Sequence, residues 1–251
     1  MASRTRIEGV FRADLGFIET MARRQVEVCE RGGLPWLYVG HIYLGMVAHW
    51  RGDWDEAERE LRLADQLEAP GAIGGQSAAH LSVHLARAGR REDTLALVSA
   101  GSAGLPVAGQ INSIGAWNTL LGFTEALYLV GETDAVAGFM PLIAEALELD
   151  DWISFDGRLV RTRAAIAATA ARRWDEAERY FAEALELAEA LGNRIEQADL
   201  RQFHARMLLD RDGPGDRAAA GALVAEAVER YRAMGMPRHA TLTAALLDGP
   251  A

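Results

Sequence analysis

The residues that could do chemistry here are few, and each pattern lacks one part of the machinery it suggests. His80 and His84, in the run His-Leu-Ser-Val-His, stand four positions apart on one helical face and could both reach a single metal ion. A zinc-protease helix also needs a glutamate directly after the first histidine, and Leu81 occupies that place, so the pair is expected to be two helix-surface histidines. Residues 75–79, Gly-Gln-Ser-Ala-Ala, have the outline of a nucleophile elbow, which requires a strand leading into a sharp turn. A glycine-rich loop precedes and a helix follows, so Ser77 is expected to cap that helix. The run Ala-Gly-Ser-Ala-Gly at residues 100–104 is expected to be a loop and not a phosphate cradle. Asp150 and Asp151, with Glu148 and Asp156, form an acidic cluster that reads as turn carboxylates, because acid–base work needs two carboxylates in contrasting environments of one cleft. No catalytic residue, metal site or cofactor is expected, and the chain is not expected to be an enzyme.

Bulk composition narrows the field further. The 251 residues are half hydrophobic and one quarter charged, with a formal net charge of −10. That balance suits a sizeable core and repels nucleic acid and anionic membranes, so neither is an expected partner. Every basic side chain is arginine, which excludes a phosphate-binding lysine and a Schiff base. Cys29 is the only cysteine, so no intrachain disulfide can form. The N-terminal residues lack the apolar stretch of a secretory signal, and no run is long enough to span a bilayer. A cytoplasmic protein is expected.

The elements that would position any site form a repeat. Residues 52–70, GDWDEAERELRLADQLEAP, recur as RRWDEAERYFAEALELAEALG at residues 172–192. Ala57, Leu61 and Ala64 match Ala177, Phe181 and Ala184, and spacings of four and three place each trio on one helical face. Small alanines let a neighbouring helix approach, while the larger residue fills the gap. Asp53 and Asp55 stand where the first of these helices begins, as cap and as favourable charge near the helix dipole. A partner helix precedes each copy, carrying Leu44, Gly45 and Ala48 in the first and Ala164, Ala165 and Ala168 in the fourth unit. Looser units carry Leu81, Ser82 and Leu85; Phe123, Thr124 and Leu127; and His204, Ala205 and Leu208.

At these positions the chain resembles the tetratricopeptide repeat, from about Tyr38 to Met236. Turns at residues 52, 89, 131, 172 and 213 lie 37, 42, 41 and 41 apart, longer than the ~34 of the standard repeat. Long repeats of this kind are similar to the helical regions C-terminal to bacterial signalling ATPases, joined to nucleotide cyclases or helix-turn-helix domains. The resemblance implies an all-α, right-handed α-solenoid of about five hairpins with a period of about 40, whose first helices line a concave side. Three segments are expected: residues 1–33 as a single N-terminal helix, a half-repeat or cap; residues 34–240 as the solenoid; and residues 241–251 as a tail. The first helix is placed from about Arg12 to Arg31, with Phe11, Leu15, Phe17, Ile18 and Met21 leaving apolar surface, as in a chain cut from a longer one. Pro141 should kink its helix or start it late, and residues 100–115 should be the break in the stack.

Carrying the repeat register along the chain predicts a concave groove. Unit one contributes Val39, Ile42, Met46, His49 and Trp50, and unit two Gln76, Val83 and Arg87. Asn118, Leu121, Glu125 and Tyr128 follow, then Leu159, Thr162 and Ile166, then Gln202 and Arg206. The leading expectation is a non-catalytic scaffold that binds a peptide or protein segment there, with Met46, Trp50, Arg87 and Tyr128 as principal contacts. The alternative is a ligand- or protein-sensing regulatory region of a larger ATPase, adenylate cyclase or transcription regulator. A third possibility is that the superhelix is tight and these residues fill its inside.

Overall fold

The computed structural model describes residues 8–69, 74–149 and 157–248, and every regular element among them is a helix. Helix α1, Leu15–Gly32, starts where Asp14 Oδ1 accepts from the Phe17 amide at 2.9 Å. Ala13, in the left-handed region at φ 55°, separates it from helical backbone at residues 8–12. The helix therefore begins three residues later than the expected Arg12. Leu15, Ile18 and Ala22 are buried and Phe17 and Met21 half-buried, so the apolar face expected to stand open is largely covered. Much of that cover is α2, Leu37–Arg51.

Five helical hairpins follow. Helix α2 pairs with α3, Trp54–Leu67, and α4, Gln76–Arg87, with α5, Arg91–Gly101. Next, α6, Ile114–Leu129, leads into α7, Thr133–Gly138, and α8, Met140–Leu149. Helix α9, Val160–Ala170, pairs with α10, Trp174–Ala190, and α11, Arg194–Arg211, with α12, Asp216–Ala233. The chain then turns into α13, Pro237–Ala244. The expected boundary at residue 240 falls inside this helix, where Ala240 and Thr243 are buried.

Four of the expected turns fall at left-handed residues on the predicted positions, Gly52, Gly89, Gly131 and Arg172, and the fifth falls one position early at Asp212. A left-handed residue after the last helical turn reverses the chain and satisfies terminal carbonyls, as Gly52 N–H does with Ala48 and His49. Pro141 lies in the first turn of α8, past a break at Phe139. Its ring there displaces no interior hydrogen bond. Neither expected side-chain cap forms. Asp53 makes no side-chain cap bond, and Ser77 is the second residue of α4, whose Gln76 and Ser77 amides donate instead to the Glu68 carboxylate at 3.2 and 3.1 Å.

Small residues set the helix spacing as the repeat pattern predicts. Ala57, Leu61 and Ala64, and likewise Ala177, Phe181 and Ala184, are buried. Leu61 fills the place where a side chain at Gly45 would be, since a Cβ there would lie 2.6 Å from Leu61 Cγ. Residues 100–115 do not interrupt the packing. A 3-10 turn continues α5 and α6 lies directly on α4, with Gly122 so close that a Cβ would stand 2.5 Å from that of Ala79.

The first helices of the hairpins touch in succession, α2 on α4, α4 on α6, α6 on α9 and α9 on α11. Helix α13 then returns to α2. Arg238 lies over the Trp54 ring at 4.5 Å, and Arg194 Nη1 donates to the Arg12 carbonyl at 3.1 Å. The two ends of the helical array meet, and the inner helices are enclosed. No helix among the described residues is long and apolar enough to cross a membrane.

Candidate functional site

Because the ends meet, the residues predicted to line an open groove form an interior. Ile42, Met46, His49, Trp50, Arg87, Leu121, Glu125, Tyr128, Thr162 and Ile166 are all buried, and only Val83 and Arg206 are half-buried. The expected open face is closed by α11 and α13. Tyr128 packs on Phe203 with ring centres 6.1 Å apart, donates its hydroxyl proton to Asp210 at 3.1 Å, and carries Arg206 over its ring at 5.7 Å. On the opposite side the His239 ring meets that of His49 at 4.8 Å. The residues that the register assigned to the concave face are buried or half-buried among the described residues.

A charge network fills the enclosed space. Glu125, fully buried on α6, receives Arg87 Nη2 at 2.9 Å from α4 and faces Arg163 Nη2 at 2.6 Å from α9. Arg163 Nε also donates to the Leu121 carbonyl at 3.0 Å, which fixes the guanidinium in its plane. Arg87 Nη1 donates to Gln202 at 3.1 Å. From the segment before α9, Arg158 reaches Glu196 at 3.3 Å and pairs closely with Asp199. The Thr162 hydroxyl donates to Glu196, and the Tyr231 hydroxyl is bonded to Asp199. Burial alone would raise the Glu125 carboxyl, but the fields of Arg163, Arg158 and Arg87 outweigh it and hold the group well below the usual carboxylate range. The carboxylate is therefore ionised, and removing either side of such a buried set would leave an uncompensated charge.

Beside this network lies a cavity of about 50 Å³. Met46, Trp50 and Leu121 give it an apolar wall, and Gln76, Asn118, His49, His84, Glu125, Arg158 and Arg163 give it a polar one. Its half-buried lining residues, His80, Val83 and Gly122, mark the mouth. The amides of Gln76 and Asn118 are both buried, and none of their side-chain nitrogens and oxygens has a partner among the described residues. Arg163 Nη1 is in the same condition. Most buried polar side chains in folded proteins are paired, so two complete amides on one small cavity form an unusual concentration of free hydrogen-bonding capacity.

His84 does not match its expected place on the helix surface. His84 is buried, with Nδ1 2.9 Å from His49 Nδ1, so one ring donates to the other. Desolvation lowers His84 to about 4, and holds His49 and His239 well below the ordinary histidine range. These rings are neutral near pH 7. Only His80 of the sequence pair is half-exposed. Among the described residues no three histidine, cysteine, aspartate or glutamate side chains are placed to hold a metal ion. Glu148 is exposed on α8, whereas Asp150, Asp151 and Asp156 lie outside the described residues.

Sequence reasoning missed Arg158, Arg163, Glu196, Asp199, Tyr231 and His239. A signal did exist for part of the set. Glu196, Asp199 and Gln202 recur every three residues on α11 beside Ala198, Leu200 and Phe203, and such a polar stripe within a buried helix marks a buried network. Arg163 stands in an otherwise alanine- and threonine-rich helix that is buried almost all round. No protein-family model, curated protein or solved structure matches this chain.

Proposed function

We propose that this chain is a non-catalytic regulatory module that senses a small polar ligand in its interior. In this reading it is a tetratricopeptide-like solenoid wound until its inner face closes. Ligand binding tightens or loosens that closure, and a protein partner, or a linked ATPase, cyclase or transcription-regulator domain, reads the change. The observation that carries the reading is the pair of buried, unpartnered amides, Gln76 and Asn118, on one cavity. The succession of hairpins with left-handed turns and glycine or alanine at the helix contacts supports the repeat relationship. Against a peptide in the groove stands the burial of Ile42, Leu121 and Ile166, at most 2% exposed. Aromatic and arginine anchors carry interface energy only where a partner can reach them.

Thermal unfolding in the presence of a panel of small metabolites and a panel of peptides tests this reading. A metabolite that raises the midpoint with its concentration, as binding to the folded state requires, and that slows amide exchange in α13, supports it. Stabilisation by a peptide with no response to any metabolite would restore the groove reading and sink this one.

A further inference from the structure

The cavity's own chemistry narrows the ligand class. Its ionised lining side chains are Arg158, Arg163 and Glu125, two positive and one negative. Glu125 Oε1 accepts from Arg87 at 2.9 Å, and Oε2 stands 2.6 Å from Arg163 Nη2 as an ion pair without hydrogen-bond alignment, so two guanidinium groups offset the carboxylate's charge toward a second anion. Arg163 is held through Nε and Nη2, which leaves the buried Nη1 as a fixed donor. Each free amide offers one donor group and one acceptor, the pattern that complements a hydroxyl or carboxamide. The lining histidines His49 and His84 are neutral and add no cation. On the scale by which roughly 10–15 Å³ holds one water, the volume of about 50 Å³ admits a ligand of about five non-hydrogen atoms.

Resting on the sensing role proposed above, we infer that the cavity binds a small hydroxy- or carboxamide-bearing monocarboxylate. Its carboxylate meets Arg163 Nη1, its neutral polar group sits between Gln76 and Asn118, and its carbon skeleton lies against Trp50 and Met46. The arginine fork is fixed before binding, so little order is lost when the anion arrives. The ligand also satisfies the amide groups whose burial otherwise costs stability.

The test is calorimetric titration of the full chain with glycolate and lactate, against glycolamide, lactamide and glycerol as uncharged probes of similar size. Binding of the carboxylates, with the amides about tenfold weaker or worse because the charge-assisted bond is lost, is the expected result. Asn118→Leu and Gln76→Met remove the free amides with nearly unchanged volume. Both variants should melt at or above the parent temperature and lose the carboxylate response at least about tenfold. Amides or glycerol binding as tightly as glycolate would overturn the ligand class and leave the sensing role standing. Undiminished binding by both variants would overturn the site. No binding by any probe, together with a crystal soaked in millimolar glycolate whose cavity holds only water, would overturn this ligand class at the site, whereas the sensing role falls only if the metabolite panel also gives no response.

Discussion

Glu125 Oε2 and Arg163 Nη2 meet at 2.6 Å between two adjacent inner helices, with the carboxylate fully buried and the guanidinium 2% exposed. Arg87 approaches the other oxygen at 2.9 Å. Glu125→Leu strips this part of the interior of its counter-charge while three buried arginines remain. The cost is expected to be about 3–5 kcal/mol, a large share of the roughly 5–15 kcal/mol that holds a domain together. Urea unfolding monitored by circular dichroism reads it. A loss below about 1 kcal/mol would mean the arginines find other partners within the fold, since an unpaired buried charge costs more than that.

Acid should weaken the fold well before its carboxylates titrate. His49, His84, His204 and His239 all have lowered proton affinity, with burial as the largest cause. Each is neutral in the folded chain at pH values where the unfolded chain already binds a proton. Their contribution is complete above the unfolded value near 6.5 and falls as pH drops from there, for His84 down to about 4. Each contributing histidine adds up to about 1.4 kcal/mol per pH unit to the slope. Glu68, which burial raises, acts in the opposite sense. Unfolding free energies between pH 7.5 and 5 should fall monotonically, and His84→Phe should flatten the curve. A profile level across that range would contradict the buried neutral histidines.

Arg172 is, with Asp212, one of the two non-glycine residues at the hairpin turns. It sits at φ 56°, where the matching turns use Gly52, Gly89 and Gly131. A side chain in the left-handed region costs roughly 1–2 kcal/mol, offset in part by the greater freedom of an unfolded glycine. Since Arg172 is exposed, Arg172→Gly should stabilise by about 1 kcal/mol net and raise the melting temperature by roughly 2–4 °C. A lower melting temperature would show that the arginine side chain makes a contribution larger than its backbone strain.

Helices α4 and α6 approach through Gly122. Even the smallest side chain there would bring a Cβ within 2.5 Å of the Ala79 Cβ and 2.8 Å of its Cα. Because the obstacle includes backbone, Gly122→Ala should force the two helices apart. The expected destabilisation is about 1–3 kcal/mol, despite alanine's better helix propensity. The same shift would widen the adjoining cavity, so the variant should also show a changed tryptophan emission from Trp50 or Trp117. An unchanged stability would show that the helices move apart freely.

Much of this architecture is written in local pattern. Alanines at spacings of three and four, beside a larger apolar residue, dictate amphipathic helices that pack closely. The left-handed turns are read most directly where they carry glycine, at Gly52, Gly89 and Gly131, and less so at Arg172 and Asp212. Pro141 left open a kink or a late helix start, and the chain takes the second, with a break at Phe139 before α8. The inward-facing set, from Ile42 through Asn118 and Glu125 to Ile166, also followed from register, since a helix face is a local property. Whether that face bounds an open groove or a closed interior is not local. It depends on how the four successive inner-helix contacts are oriented together, so that α13 meets α2 and His239 meets His49. The arginine partners of Glu125 come from α4 and from residues 158–163, far apart from it in the chain, and no spacing in the sequence encodes their meeting. Short-range sterics and periodicity thus fixed the helices and their inner faces, while the accumulated winding of the stack decided that those faces enclose a charged interior and a small polar cavity.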